Sequence, residues 1–173
     1  RLQEFSETSD TEIGEALAKL KAAGMQRLML DIRDNPGGPL DQAIAVSSRF
    51  LKSAQMVVYT RGRVPGSDED YRAKTQAGYT DVPLIVMVNR NSASASEIVS
   101  GAMQDHDRAI LVGETTFGKA LVQGVYSISE GAGLAITSGR YFTPSGRMIQ
   151  RPWDGAFDEY LTYSYRDQKA DRP

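Results

Sequence analysis

The chain has 173 residues, 40% of them hydrophobic and 24% charged, with a formal net charge of −2; that suffices for one compact core and is too short for two ordinary domains. The balance of charge and the scatter of the arginines exclude a basic stripe that tracks phosphates, so nucleic acid is not an expected partner. No apolar run approaches the roughly 20 residues that span a bilayer, and the lack of cysteine with a single histidine, His106, removes disulfides, thiolate chemistry and a histidine-rich metal site.

Arg1 stands where a complete chain would have methionine, and no signal-like apolar stretch follows; the sequence is expected to be a piece of a longer protein. The first element is a helix from Ser9, where "SDTEIGEALAKLKAAG" offers a capping box of Ser9 with Glu12, apolar residues Ile13, Leu17 and Leu20, and a terminating Gly24. "RLMLDI" follows as a short apolar strand of the kind buried on both faces of a parallel sheet, and it runs into the turn Asn35-Pro36-Gly37-Gly38.

A second helical pattern covers Leu40 to Lys52, with Ile44, Phe50 and Leu51 among small residues, and "MVVYT" from Met56 to Thr60 reads as a strand. The polar stretch Thr60 to Thr80, with Gly62, Pro65 and Gly66, is longer than most connections and is either a mobile flap or a hairpin. "PLIVMV", Pro83 to Val88, is a buried strand that leads through "NRN" into a helix at "SASASEIVSGAMQ". His106, in "MQDHDR", falls at that helix's end, where an exposed polar residue is expected.

"AILVG", Ala109 to Gly113, is a further strand, and the residues after Lys119 favour strands separated by turns. The tail from Arg151, with Trp153, Phe157, Tyr160, Tyr163 and Tyr165, is expected to pack back in part and to end in a loose "RDQKADRP". Strands alternating with helices make this an α/β fold whose right-handed crossovers gather the strand-end loops on one rim.

Two segments on that rim carry chemistry. Gly113 to Lys119 spells G-x-x-x-x-G-K, the outline of a phosphate-binding loop, but Ala120 replaces the hydroxyl that would meet Mg²⁺, and "ALVQGVYSI" reads as a strand where such a loop needs a helix. The alternative use of Lys119 is as a base, which requires apolar surroundings that lower its pKa from about 10.4. "NSASASEI" supplies a partner: Ser92, Ser94 and Ser96 follow a buried strand and open a helix, beside its first unpaired N–H groups. The plainer reading of Ser94 is a capping box with Glu97, and Pro36-Gly37-Gly38 is equally a good strand-to-helix turn. Acyl transfer would use that turn for a second backbone N–H aimed at an oxyanion.

"LMLDIRDNPGG", "NRNSASASEIVSGAMQDHDRAILVGETTFGKALVQ" and "TSGRYFTPSGRMIQ" together resemble the hallmark segments of the carboxyl-terminal processing (tail-specific) proteases, the S41 serine peptidases. The resemblance implies a ClpP/crotonase-like core of β-α-β units over residues 1–150, a C-terminal extension over 151–173 that is partly disordered, and no PDZ domain within this chain. It implies Ser94 as nucleophile, Lys119 as base and Gln123 as the residue that holds the lysine amine. Strand alternation would place Lys119, Leu121 and Gln123 on one face. The oxyanion donors would be Ala95 N–H and that of Gly37 or Gly38.

A serine endopeptidase without metal or cofactor is therefore expected, acting on proteins or peptides with exposed C-termini and completed by a PDZ domain in the full-length protein. The same resemblance implies the bacterial envelope, in the periplasm, with membrane association only through segments outside this chain. A catalytically silent relative that binds a ligand or peptide is the alternative.

Overall fold

The computed structural model describes residues 1–151, apart from 64, 65, 67, 75–77, 129 and 130; the aromatic tail lies outside the described residues. The elements run in chain order as α1 (Ser9–Ala22), β1 (Leu28–Asp31), α2 (Leu40–Ser48), β2 (Met56–Gly62), β3 (Glu69–Arg72), β4 (Leu84–Val88), α3 (Ala95–Asp105), β5 (Ile110–Gly113), β6 (Leu121–Ser127) and β7 (Gly133–Phe142). They build two sheets. One is parallel in the order β1-β4-β5, and the other is antiparallel in the order β3-β2-β7-β6.

The α/β expectation holds, with alternating apolar residues setting the sheet faces. Leu84, Val86 and Val88 of β4 and Leu30 of β1 point into a core shared with Ile44 and Val46 of α2 and Val99 and Met103 of α3. Burying a side chain of this size stabilises the fold by about 1.5–3 kcal/mol before entropy is counted. The opposite face departs from the expectation of burial on both sides: Met29, Ile110 and Val112 are 59%, 68% and 49% exposed. On that face Ile85 and Met87 of β4 are half-buried, so among the described residues the second face of the sheet is covered only in part.

The stretch after β2 is a hairpin, β3 pairing antiparallel with β2 from Arg72 opposite Met56 to Glu69 opposite Thr60. In α1 the cap falls one residue earlier than expected, at Thr8, whose hydroxyl donates to Glu12 Oε1 at 2.5 Å. Ser9 is buried and accepts the Ser6 N–H at 2.8 Å instead, and Leu20 is 45% exposed while Leu17 is buried. His106 is half-buried rather than exposed, because its Nε2 meets the Met56 carbonyl at 2.7 Å and ties the end of α3 to the start of β2.

Candidate active site

All three parallel strands end at one edge, and each delivers a loop there. β1 leads to Asn35-Pro36-Gly37-Gly38, β4 leads through Asn89 to the serines that open α3, and β5 leads to the segment Glu114–Lys119. Ligand chemistry in such sheets sits at the carboxyl ends of the strands because the loops there are free to vary over a rigid support.

The three serines differ in what they touch. Ser92 is fully buried; its hydroxyl donates to the Ile32 carbonyl at 2.8 Å and accepts the Asn89 N–H at 3.0 Å. Ser96 is also fully buried and donates to the Asn35 carbonyl at 3.1 Å. Ser94 between them is half-buried, with φ 56° and ψ −114°. That backbone region is nearly closed to side-chain-bearing residues, costs about 1–3 kcal/mol, and persists only where the surroundings enforce it.

The enforcement comes from both neighbours. Ser94 caps α3 in the expected capping box with Glu97, its N–H donating to Glu97 Oε2 at 2.9 Å. The Asn35 carbonyl receives the Ala93 N–H at 3.0 Å as well as the Ser96 hydroxyl, which fastens the β1 turn to the start of α3. The Asn35 side chain accepts the Gly37 N–H at 2.9 Å and donates to the Leu2 carbonyl at 3.1 Å.

Gly37 and Gly38 earn their place by close approach at positive φ, 100° and 151°. A Cβ on Gly37 would stand 2.9 Å from Ala95 N, and one on Gly38 would stand 2.0 Å from the Phe5 carbonyl oxygen. The turn therefore lies directly against the first residue of α3. Among the described residues no hydrogen bond uses the N–H of Ala95 or of Gly38. Ala95 is the first residue of the helix, where the dipole favours developing negative charge.

Lys119 reaches this edge through its main chain. Its N–H donates to Glu97 Oε2 at 2.8 Å, while Glu97 Oε1 accepts the Gly118 N–H at 2.6 Å and the Thr116 hydroxyl at 2.7 Å. Glu97 is 3% exposed; burial pushes its carboxyl above the usual range, and the donors from Thr116, Lys119, Gly118 and Ser94 oppose that push.

The Lys119 side chain departs from the expected burial. It is exposed in the connection before β6, and among the described residues its amine has no hydrogen-bond or ion-pair partner. The backbones of Ser94 and Lys119 are thus brought together, but no hydrogen bond joins their side chains in this conformation. Gln123 is exposed on β6 and its amide makes a long 3.5 Å contact with Thr137 Oγ1 rather than with Lys119. Because β6 is a strand, the phosphate-loop reading of Gly113–Lys119 has no helix to stand on.

Sequence reasoning missed two residues. Asn35 was visible only as part of a turn, and Glu97 only as a local cap; their long-range partners leave no mark in the spacing.

The sequence profile of peptidase family S41 matches residues 1–155. The chain belongs to this family. It is 46% identical over 144 residues to a carboxyl-terminal-processing protease of Picosynechococcus sp., an alignment covering 83% of this chain and 34% of that protein. It is 40% identical to the chloroplastic carboxyl-terminal-processing peptidase 1 of Arabidopsis thaliana, with 84% and 29% covered. The solved photosystem II D1 C-terminal processing protease superposes with a TM-score of 0.77 at 36% identity, covering 87% of this chain and 38% of that one. This S41 chain spans about a third of the length of the relatives it matches.

Proposed function

We propose that this S41 chain carries the catalytic core of a serine endopeptidase that cleaves proteins near their C-termini through Ser94 and Lys119. The observation that carries the reading is Ser94 itself, a non-glycine residue at φ 56° capping a helix, next to Ala95 and packed against the Gly37-Gly38 turn, where the N–H groups of Ala95 and Gly38 enter no hydrogen bond among the described residues. Strain of this kind is retained where it aims a side chain.

In the proposed reaction the free amine of Lys119 removes the proton from Ser94 Oγ as that oxygen attacks the scissile carbonyl carbon. The carbonyl oxygen, now negative, accepts from Ala95 N–H and from the turn. Gly37 already gives its N–H to Asn35, so Gly38 is the second donor, and Gly37 serves by bringing the turn close. The lysine proton passes to the departing amine, leaving an acyl-enzyme that water hydrolyses with the same amine as base. Gln123 would orient that amine once the Lys119 side chain swings toward Ser94, a rotation that leaves its main chain in place.

The names of the relatives support protein substrates and action at carboxyl termini. A ClpP/crotonase-like assignment of the fold, a PDZ domain elsewhere in the full-length protein and a place in the bacterial periplasm belong to the same proposal. The test is to incubate the full-length protein with a folded substrate bearing an unstructured C-terminal tail and to read the products by intact mass. Products shortened from the C-terminus, absent with Ser94→Ala, are expected. Cleavage that persists in Ser94→Ala, or binding of the tail without any cleavage, would oppose it; the second result would make the chain a silent binding module.

A further inference from the structure

Glu97 is a buried carboxylate to which the proposed reaction gives no proton to carry. Capping α3 does not require its burial, since a capping-box glutamate works on a helix surface, and taking a charge out of water is costly unless every lone pair is met. Here they are met by four donors, only one of which belongs to the cap. The other three, Thr116 Oγ1, Gly118 N–H and Lys119 N–H, come from the segment that carries the proposed base. One oxygen, Oε2, accepts from Ser94 and from Lys119, so these two main-chain nitrogens can lie no farther apart than the two bonds laid end to end.

Resting on the Ser94/Lys119 reading, we infer that Glu97 is a positioning residue whose single carboxylate sets the spacing between nucleophile and base by holding both main chains. Glutamine has one acceptor atom where two are needed, and its NH₂ would face an N–H. Aspartate is a methylene short of spanning the gap. Displacing a reacting group by about 1 Å costs about 100-fold in rate, which is the scale of effect expected.

The experiment measures the rate at which a serine-directed fluorophosphonate labels Ser94 in the full-length protein, for wild type, Glu97→Gln, Lys119→Ala and the double variant. Glu97→Gln is expected to label about 100-fold more slowly, and to add less than about threefold when Lys119 is already alanine, because a residue that acts through the lysine has nothing left to position. A merely structural role would give effects that multiply, and that result overturns the inference, as does a Glu97→Gln rate within about twofold of wild type. If Glu97→Gln does not fold, Thr116→Val removes one donor and leaves the carboxylate; slowing of about fivefold that vanishes in the Lys119→Ala background supports the inference, and an unchanged rate overturns it. Labelling of Ser94 at wild-type rate in Lys119→Ala identifies the separate failure, that of the Ser94/Lys119 reading itself, and the inference falls with it.

Discussion

Gly37 approaches Ser94 so closely that a Cβ on the glycine would stand 2.7 Å from the serine's own Cβ. It would also stand 2.7 Å from the Ala93 carbonyl oxygen, and the Gly37 φ of 100° is closed to most side chains. Gly37→Ala must therefore push the turn away from Ala95 N–H. Activity is expected to fall by at least about 100-fold, the scale set by loss of one oxyanion donor, while circular dichroism shows the fold retained. Unchanged activity would mean that the turn does not line the site.

The strain at Ser94 makes a prediction with opposite signs for function and stability. Glycine accepts φ 56° at no steric cost and caps helices nearly as well as serine. Ser94→Gly is expected to abolish peptide cleavage while leaving the melting temperature equal to wild type or higher; a clear loss of stability would show that the serine is retained for folding.

Ser92 behaves in the reverse sense. Its hydroxyl holds the end of β1 to the loop after β4 through Ile32 and Asn89, and it lies fully buried. Ser92→Ala leaves the Asn89 N–H without its acceptor and the Ile32 carbonyl with only the longer 3.4 Å bond from the Asn35 N–H, and should destabilise the protein by about 1–3 kcal/mol in urea unfolding. An effect within about 0.5 kcal/mol would contradict the structural role assigned to it.

Asp31, at the end of β1, is held to about pKa 2, first by the hydrogen bonds of the Arg33 guanidinium, which reach its two oxygens at 2.9 Å each. A carboxyl depressed in the folded state stabilises that state above its unfolded pKa of 3.8 and loses the contribution as pH falls through about 2. Unfolding experiments between those values should show stability rising with pH more steeply in wild type than in Asp31→Asn. In Arg33→Ala, the Asp31 midpoint followed by NMR should return toward the ordinary carboxylate value. Identical pH slopes would remove the pair from the stability account.

The parallel strands were legible because a run such as Leu84–Val88 has few other uses, and the rim followed from strand-helix alternation. The capping half of Glu97 was legible because it is three residues from Ser94; the half that binds Gly118 and Lys119 joins segments that only the folded sheet brings together. The polar stretch after β2 left flap and hairpin open, since glycine and proline mark a reversal without naming the partner strand. Base chemistry asks for a buried Lys119, yet β6 begins only at Leu121 and the lysine precedes it. Leu121 and Gln123 do follow one another along that strand, but the register shift opposite Val122 and Gln123 could not be read from spacing.

The central claim, that Ser94 and Lys119 form one reacting pair under Ala95 and Gly38, is met most directly by the crystal structure of the full-length protein after reaction with a phosphonylating probe. The account predicts a single adduct on Ser94 Oγ, its phosphonyl oxygen about 2.7–3.1 Å from the N–H nitrogens of Ala95 and Gly38, and the Lys119 amine turned inward to Ser94 Oγ. An adduct on any other residue, or a Lys119 amine still pointing into solvent beside a modified Ser94, would contradict it.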